Sequence, residues 1–214
     1  MTFHLPDSLA PEVYPLAWLV GTWRGPGFLG YPDIPERPIL SEVTFASDGG
    51  PYLAYTATTW LLEGSLGSLD GELDVASLVP GAVWSVESGY WRVTPTVPDD
   101  ASAIAGAADA GGPDAGGPDA AVRTSAGAPA PGPTELEVLV ADPSGHISVY
   151  LGAVQGPRVD LATDLIARTA TGAEVTAASR MYGLVGGELI WATDLAAFGH
   201  ELQAYSSGRL QRQE

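Results

Sequence analysis

Gly21-Thr22-Trp23-Arg24-Gly25-Pro26-Gly27, running on to Tyr31-Pro32, is the stretch on which the reading of this chain turns. Gly21, Trp23, Gly25 and Gly27 share one parity, and alternate residues of a strand lie on one face. Three of these four positions carry no side chain and the fourth carries an indole. Glycine within a strand marks a bend, or a close approach by another backbone or a ligand. The simpler reading is a first barrel strand bent over its own core with Trp23 as a plug. The sharper one adds a ligand beside the glycines.

Upstream, residues 7–20 predict a short helix. Asp7 or Ser8 is the candidate cap, and Val13, Leu16, Ala17, Leu19 and Val20 form an apolar stripe interrupted by Pro15. Downstream, prolines at 26, 32, 35 and 38 predict an irregular loop over 26–38. Strand-like runs follow at 39–46, 52–62 and 83–94. Ser47-Asp48-Gly49-Gly50 is a hairpin signal, and Gly89 is the expected bulge or bend of the third run. Residues 63–81 are polar and glycine-rich and give no assignment. Alternation returns at Leu136, Val138 and Val140, turns at Asp142-Pro143-Ser144-Gly145, and resumes at Ile147, Val149 and Leu151. Further strands are expected at 157–170 (one bent or two short), 174–185, 188–195 and 202–212, with Gly186-Gly187 as a two-residue turn. About ten strands joined mostly by hairpins predict an all-β, antiparallel up-and-down barrel with a short N-terminal helix.

Residues 98–133 differ in kind. They are dominated by alanine, glycine and proline, repeat Gly-Gly-Pro-Asp-Ala in tandem at 111–120, and offer only Ile104 and Val122 as large apolar side chains. Too little surface can be buried there to offset the entropy of ordering, so a disordered loop insert within a single 1–214 domain is expected.

Composition narrows the function. The 214 residues carry nine basic side chains, all arginine, against 26 acidic ones, a formal charge of −17. Such a surface repels phosphate backbones and anionic lipid, which argues against nucleic-acid and membrane partners. With no cysteine there is no disulfide, thiolate metal site or thiol nucleophile. Neither a signal sequence nor an apolar stretch of spanning length is seen, so a cytoplasmic protein is expected. No serine-hydrolase elbow, phosphate loop or dinucleotide fingerprint is present.

The glycine run resembles the Gly-x-Trp-x-Gly-x-Gly-x-Gly-x-Tyr-Pro signature of the nitrobindin family, small haem-binding barrels shaped like fatty-acid-binding proteins. Gly21, Trp23, Gly25, Gly27, Tyr31 and Pro32 match, while the last glycine position holds Leu29. Segments 137–145, 174–177, 180–183 and 194–199 are also similar, and the resemblance spans 12–97 and 134–213 in order. It implies bound ferric haem, interaction with nitric oxide, and isomerisation of peroxynitrite to nitrate.

The resemblance also shows where this chain departs. The family's proximal histidine belongs to a final-strand motif, Leu-x-x-His-Leu-x-Ala-x-Leu-x-Arg. Here Leu202, Leu210 and Arg212 are in register, Gly208 takes the alanine place, and Tyr205 stands at the histidine position. A family lysine that meets the porphyrin, just before Glu-Val-Thr, is replaced by Ala173 in a chain without lysine. The expectation is a nitrobindin-like barrel that has lost iron coordination, needs no cofactor, and is left to hold another apolar small molecule. The alternative is an enzyme: ferric haem b held by Tyr205 as tyrosinate, with peroxynitrite isomerase chemistry. A free phenol has a pKa of about 10 and needs a nearby cation. Arg209, four residues on with the same strand parity, stands roughly 13 Å away at 3.3 Å per residue. Of the three histidines, His4 lies in the terminus, His146 is expected as an exposed turn residue, and His200 in a turn on the opposite face. An interaction scaffold using the insert is a third role.

Overall fold

A computed structural model of the chain describes residues 9–63, 74–95 and 132–213. Among them ten strands form one sheet: β1 (Gly21–Tyr31), β2 (Ile34–Ala46), β3 (Leu53–Leu62), β4 (Pro80–Val93), β5 (Thr134–Asp142), β6 (His146–Gln155), β7 (Arg158–Arg168), β8 (Val175–Val185), β9 (Glu188–Ala197) and β10 (Gln203–Arg212). Each pairs antiparallel with its sequence neighbours, and β10 pairs with β1, so the barrel closes. The alternation read from the sequence is the alternation of burial. On β5, Leu136, Val138 and Val140 point inward, while Leu139 stays exposed.

One end is plugged. Pro11–Leu19 forms 3-10 turns, tighter than the predicted helix, starting at Ala10 with no side-chain cap and with Pro11 in its first position. Pro15 inside the segment lacks the amide hydrogen that a regular α-helical ladder needs. Asp7 and Ser8, the expected caps, lie outside the described residues. Val13, Leu16 and Leu19 are fully buried there among Leu53, Trp91, Leu136 and Leu189. Trp23 is 1% exposed. Its Nε1 donates to the Leu19 carbonyl at 2.7 Å, and the Arg212 guanidinium lies over its ring at 4.1 Å. Arg212 also donates to the carbonyls of Trp18 and Val20, tying β10 to the plug.

The glycines of β1 have a backbone for a neighbour. A Cβ on Gly25 would stand 2.1 Å from the Arg209 carbonyl oxygen, and one on Gly27 would stand 2.3 Å from that of Ser207. The close approach at these glycines is by the β10 backbone, one of the two partners the sequence left open.

The expected loop over 26–38 is instead a hairpin. β1 runs through Pro26 to Tyr31, and β2 begins at Ile34. Pairing between β2 and β3 starts only at Ile39, so Pro35 and Pro38 sit on an overhang bonded on one side, where a missing N–H is tolerated. Of the bulge or bend expected at Gly89, the bulge is absent: Gly89 pairs in register with Tyr55 and Val140, and the irregularity falls at Trp84, which the Thr59–Ser85 and Trp60–Val83 pairs skip.

Irregularity gathers at the end away from the plug. Besides Trp84, pairing shifts at Tyr205, between Leu29 and Tyr31, between Val149 and Tyr150, and between Val175 and Ala177. β7 and β8 pair only from Arg158–Gly183 to Ala162–Ser179, and beyond that a side chain, Thr163 Oγ1, accepts from Ala178 N at 3.0 Å. The ladder is therefore open between these two strands at that end.

The insert, apart from its last two residues, lies outside the described residues. Its flanks do not: Val93 at the end of β4 pairs with Leu136 near the start of β5. Strands already adjacent need only a short turn. Replacing 98–133 by such a turn is expected to shift the melting temperature by less than about 3 °C, since loop closure changes only logarithmically with length. Loss of a cooperative calorimetric transition would instead show that the insert holds the barrel together.

Candidate functional site

The open end contains a cavity of about 480 Å³, within the range of small-molecule sites. Two bulges build its walls. A bulge turns two consecutive residues towards the same side and re-aims a side chain. On β4 it brings Trp84 and Ser85 to the cavity together, and on β10 it turns Tyr205 inward beside Ser206. The two bulge residues meet: Trp84 Nε1 donates to the Tyr205 hydroxyl at 2.7 Å. Burial pushes the Tyr205 phenol above its ordinary value; the Trp84 hydrogen bond pulls it back only in part, and the nearby Glu87 charge adds to the rise. The same bulge breaks the strand parity that Arg209 was expected to share with Tyr205. Arg209 faces out, where its Nε donates to Glu188 Oε2 at 3.0 Å.

Tyr31 and Phe198 complete an aromatic wall, with Tyr31 edge-on to Phe198, His200 and Tyr205 at ring separations of 6.3, 5.6 and 6.0 Å. The Tyr31 hydroxyl is fixed, accepting from Ala197 N at 2.9 Å and donating to the Leu195 carbonyl at 3.0 Å. Phe198 is 58% exposed and has φ of 54°. A bulky side chain in that region costs on the order of 1–3 kcal/mol and persists only where its surroundings hold it, often at ligand clamps.

His146 corrects another expectation. It is 8% exposed, not a surface turn residue, because the β5–β6 hairpin tip folds over the β7–β8 connection. Its Nε2 stands 2.9 Å from the Ala173 carbonyl, and its Nδ1 faces Ser144 at 3.3 Å and Asp142 at 3.3 Å. His146, Ala173 and Tyr205 therefore line one cavity. His200 stays on the rim beside Asp33. Gly21, Trp23, Gly25 and Gly27 serve the plug and the β1–β10 contact and do not line this cavity.

Behind Tyr205 lies a smaller chamber of about 70 Å³, floored by a buried ion pair. Arg180 on β8 grips Glu87 on β4 with two parallel hydrogen bonds of 2.7 Å each. Tyr55 donates to Glu87 at 3.0 Å, and Arg180 Nε donates to the Tyr150 hydroxyl at 3.1 Å. Burial alone would raise the Glu87 carboxyl, but the Arg180 charge and these hydrogen bonds outweigh it and hold the carboxyl below its ordinary value. The pair was not singled out in the sequence. Glu87 shares inward parity with Trp91, and Arg180 with Tyr182, which is the signal that would have found it.

A closed antiparallel barrel with a lined cavity at one end is the architecture of proteins that enclose a small ligand. Within that class the chain belongs to the family described as the THAP4-like, heme-binding beta-barrel domain, which matches residues 12–212. It is similar to a ferric nitrobindin-like protein of Beutenbergia cavernae, 62% identical over 212 residues and 99% of each chain. A peroxynitrite isomerase of Leifsonia xyli subsp. xyli is 38% identical, again over 99% of each chain. Among solved structures, Rv2717c from M. tuberculosis matches with a TM-score of 0.63 and 28% identity, covering 96% of this chain and 99% of that one. Among the described residues no helix is long and apolar enough to cross a membrane.

Proposed function

We propose that this chain is a nitrobindin-family barrel in which coordination of haem iron has been given up, and whose cavity binds a different apolar small molecule. The observation that carries this reading is the Trp84–Tyr205 hydrogen bond. The group at the family's ligand position is a phenol whose ionisation burial makes harder still, with its oxygen already engaged. The other imidazole on the cavity wall, His146, has both nitrogens within hydrogen-bonding reach of protein groups. The described residues lining the cavity include no lysine or arginine to meet a propionate. These residues do not fit a six-coordinate or five-coordinate haem. The tyrosinate alternative fares no better, because burial and Glu87 act against the charged phenolate and Arg209 belongs to Glu188.

Tyr205→His tests the reading. The variant is expected to turn weak or absent haem uptake into a stoichiometric complex with a ferric-histidine absorption spectrum. Adding Ala173→Lys should tighten it further through a charge-assisted contact to a propionate, on the order of 1.5–3 kcal/mol. Stoichiometric haem in the wild-type protein, abolished by Tyr205→Phe, would overturn the proposal in favour of the enzyme.

A further inference from the structure

We infer that the cavity selects a flat apolar ligand carrying a positive charge, an arylalkyl amine in chemical class, and discriminates against carboxylates; this rests on the reading that the barrel binds a small molecule other than haem. Two independent features of the walls point there. The first is aromatic: Tyr31, Trp84, Phe198 and Tyr205 all line the cavity, two of them placed by bulges and one held in a strained backbone conformation. Aromatic faces attract cations as well as apolar rings.

The second feature is charge. Two carboxylates, Glu87 and Asp142, line the cavity, and no arginine is among the described residues that do. The cation behind them, Arg180, is taken up by Glu87 and Tyr150. That leaves Asp142 as the anchor. Its side chain is 24% exposed, and among the described residues it meets only Ser144 and His146. A carboxylate has about four acceptor sites, so room remains for an ammonium donor. An incoming carboxylate would face these two acids with no arginine or lysine among the described lining residues to meet it, inside a chain whose formal charge is −17.

Three probes of one shape separate the possibilities: 1-naphthylmethylamine, 1-naphthylmethanol and 1-naphthoate, titrated calorimetrically at neutral pH in low and in high salt. The amine is expected to bind about tenfold more tightly than the alcohol, the carboxylate most weakly, with the spread narrowing in high salt. Asp142→Asn should bring the amine down to the alcohol while leaving the alcohol unchanged, and Trp84→Ala should weaken all three. Equal affinity for amine and alcohol, or tightest binding of the carboxylate, overturns the charge inference and leaves the apolar-ligand reading standing. Failure of all three to bind the wild-type protein overturns both.

Discussion

Arg180→Ala is expected to destabilise the barrel by about 3–5 kcal/mol, because it strands Glu87 inside the barrel without its counter-charge. The Arg180 side chain is 10% exposed and that of Glu87 is 24%, so water cannot replace the lost partner fully. The pH dependence of the deficit distinguishes this cause from simple loss of packing. In the wild-type protein the folded Glu87 carboxyl lies below its unfolded value. Its stabilising contribution is therefore complete above the unfolded value of about 4.3 and is lost as pH falls through the folded one. In the variant the stranded carboxyl should take up a proton more readily, so the deficit against wild type should shrink in acid. Chemical denaturation at neutral pH and near pH 4 checks both statements. Arg180→Met combined with Glu87→Leu should recover most of the loss, since a buried pair replaced by apolar groups of similar size is often neutral or better. A single variant within about 1 kcal/mol of wild type at neutral pH would mean that the pair is solvated.

Trp23→Ala is the second large effect, also about 3–5 kcal/mol. The indole is enclosed by the 3-10 segment on one side and by Arg212 on the other, and its N–H closes on the Leu19 carbonyl. Truncation leaves a cavity and removes the ring on which Arg212 rests. Trp23→Phe should cost less, keeping most of the volume while leaving the carbonyl unmet. A loss below about 1 kcal/mol in denaturant titrations of Trp23→Ala would contradict the burial of this face.

The barrel was legible because alternation with period two has a single solution when one face is buried, as at Leu136, Val138 and Val140. Proline misled in the β1–β2 hairpin. Composition signals a missing N–H, but not which neighbours flank it, and Pro35 and Pro38 fall before the pairing with β3 begins. The cavity was legible only in part. Tyr205 and Ala173 were found through the family resemblance, and they do line one cavity. Trp84, Phe198 and His146 were not found. A bulge without glycine leaves no mark in the sequence, and it reverses the parity on which face assignments rest. His146 follows a turn, and only the arrival of Ala173 from a distant connection buries it.

The gathering of pairing irregularities at one end has a consequence for how such a chain can change over generations. The plug, with Trp23, Trp91 and the leucines around them, supplies cohesion, and substitutions there are felt at once. At the mouth, bulged strands and the open β7–β8 ladder leave residues whose replacement disturbs few backbone bonds. Mutations that alter what the mouth accepts therefore fall where the fold can absorb them. A descendant can reshape this cavity without passing through an unfolded ancestor.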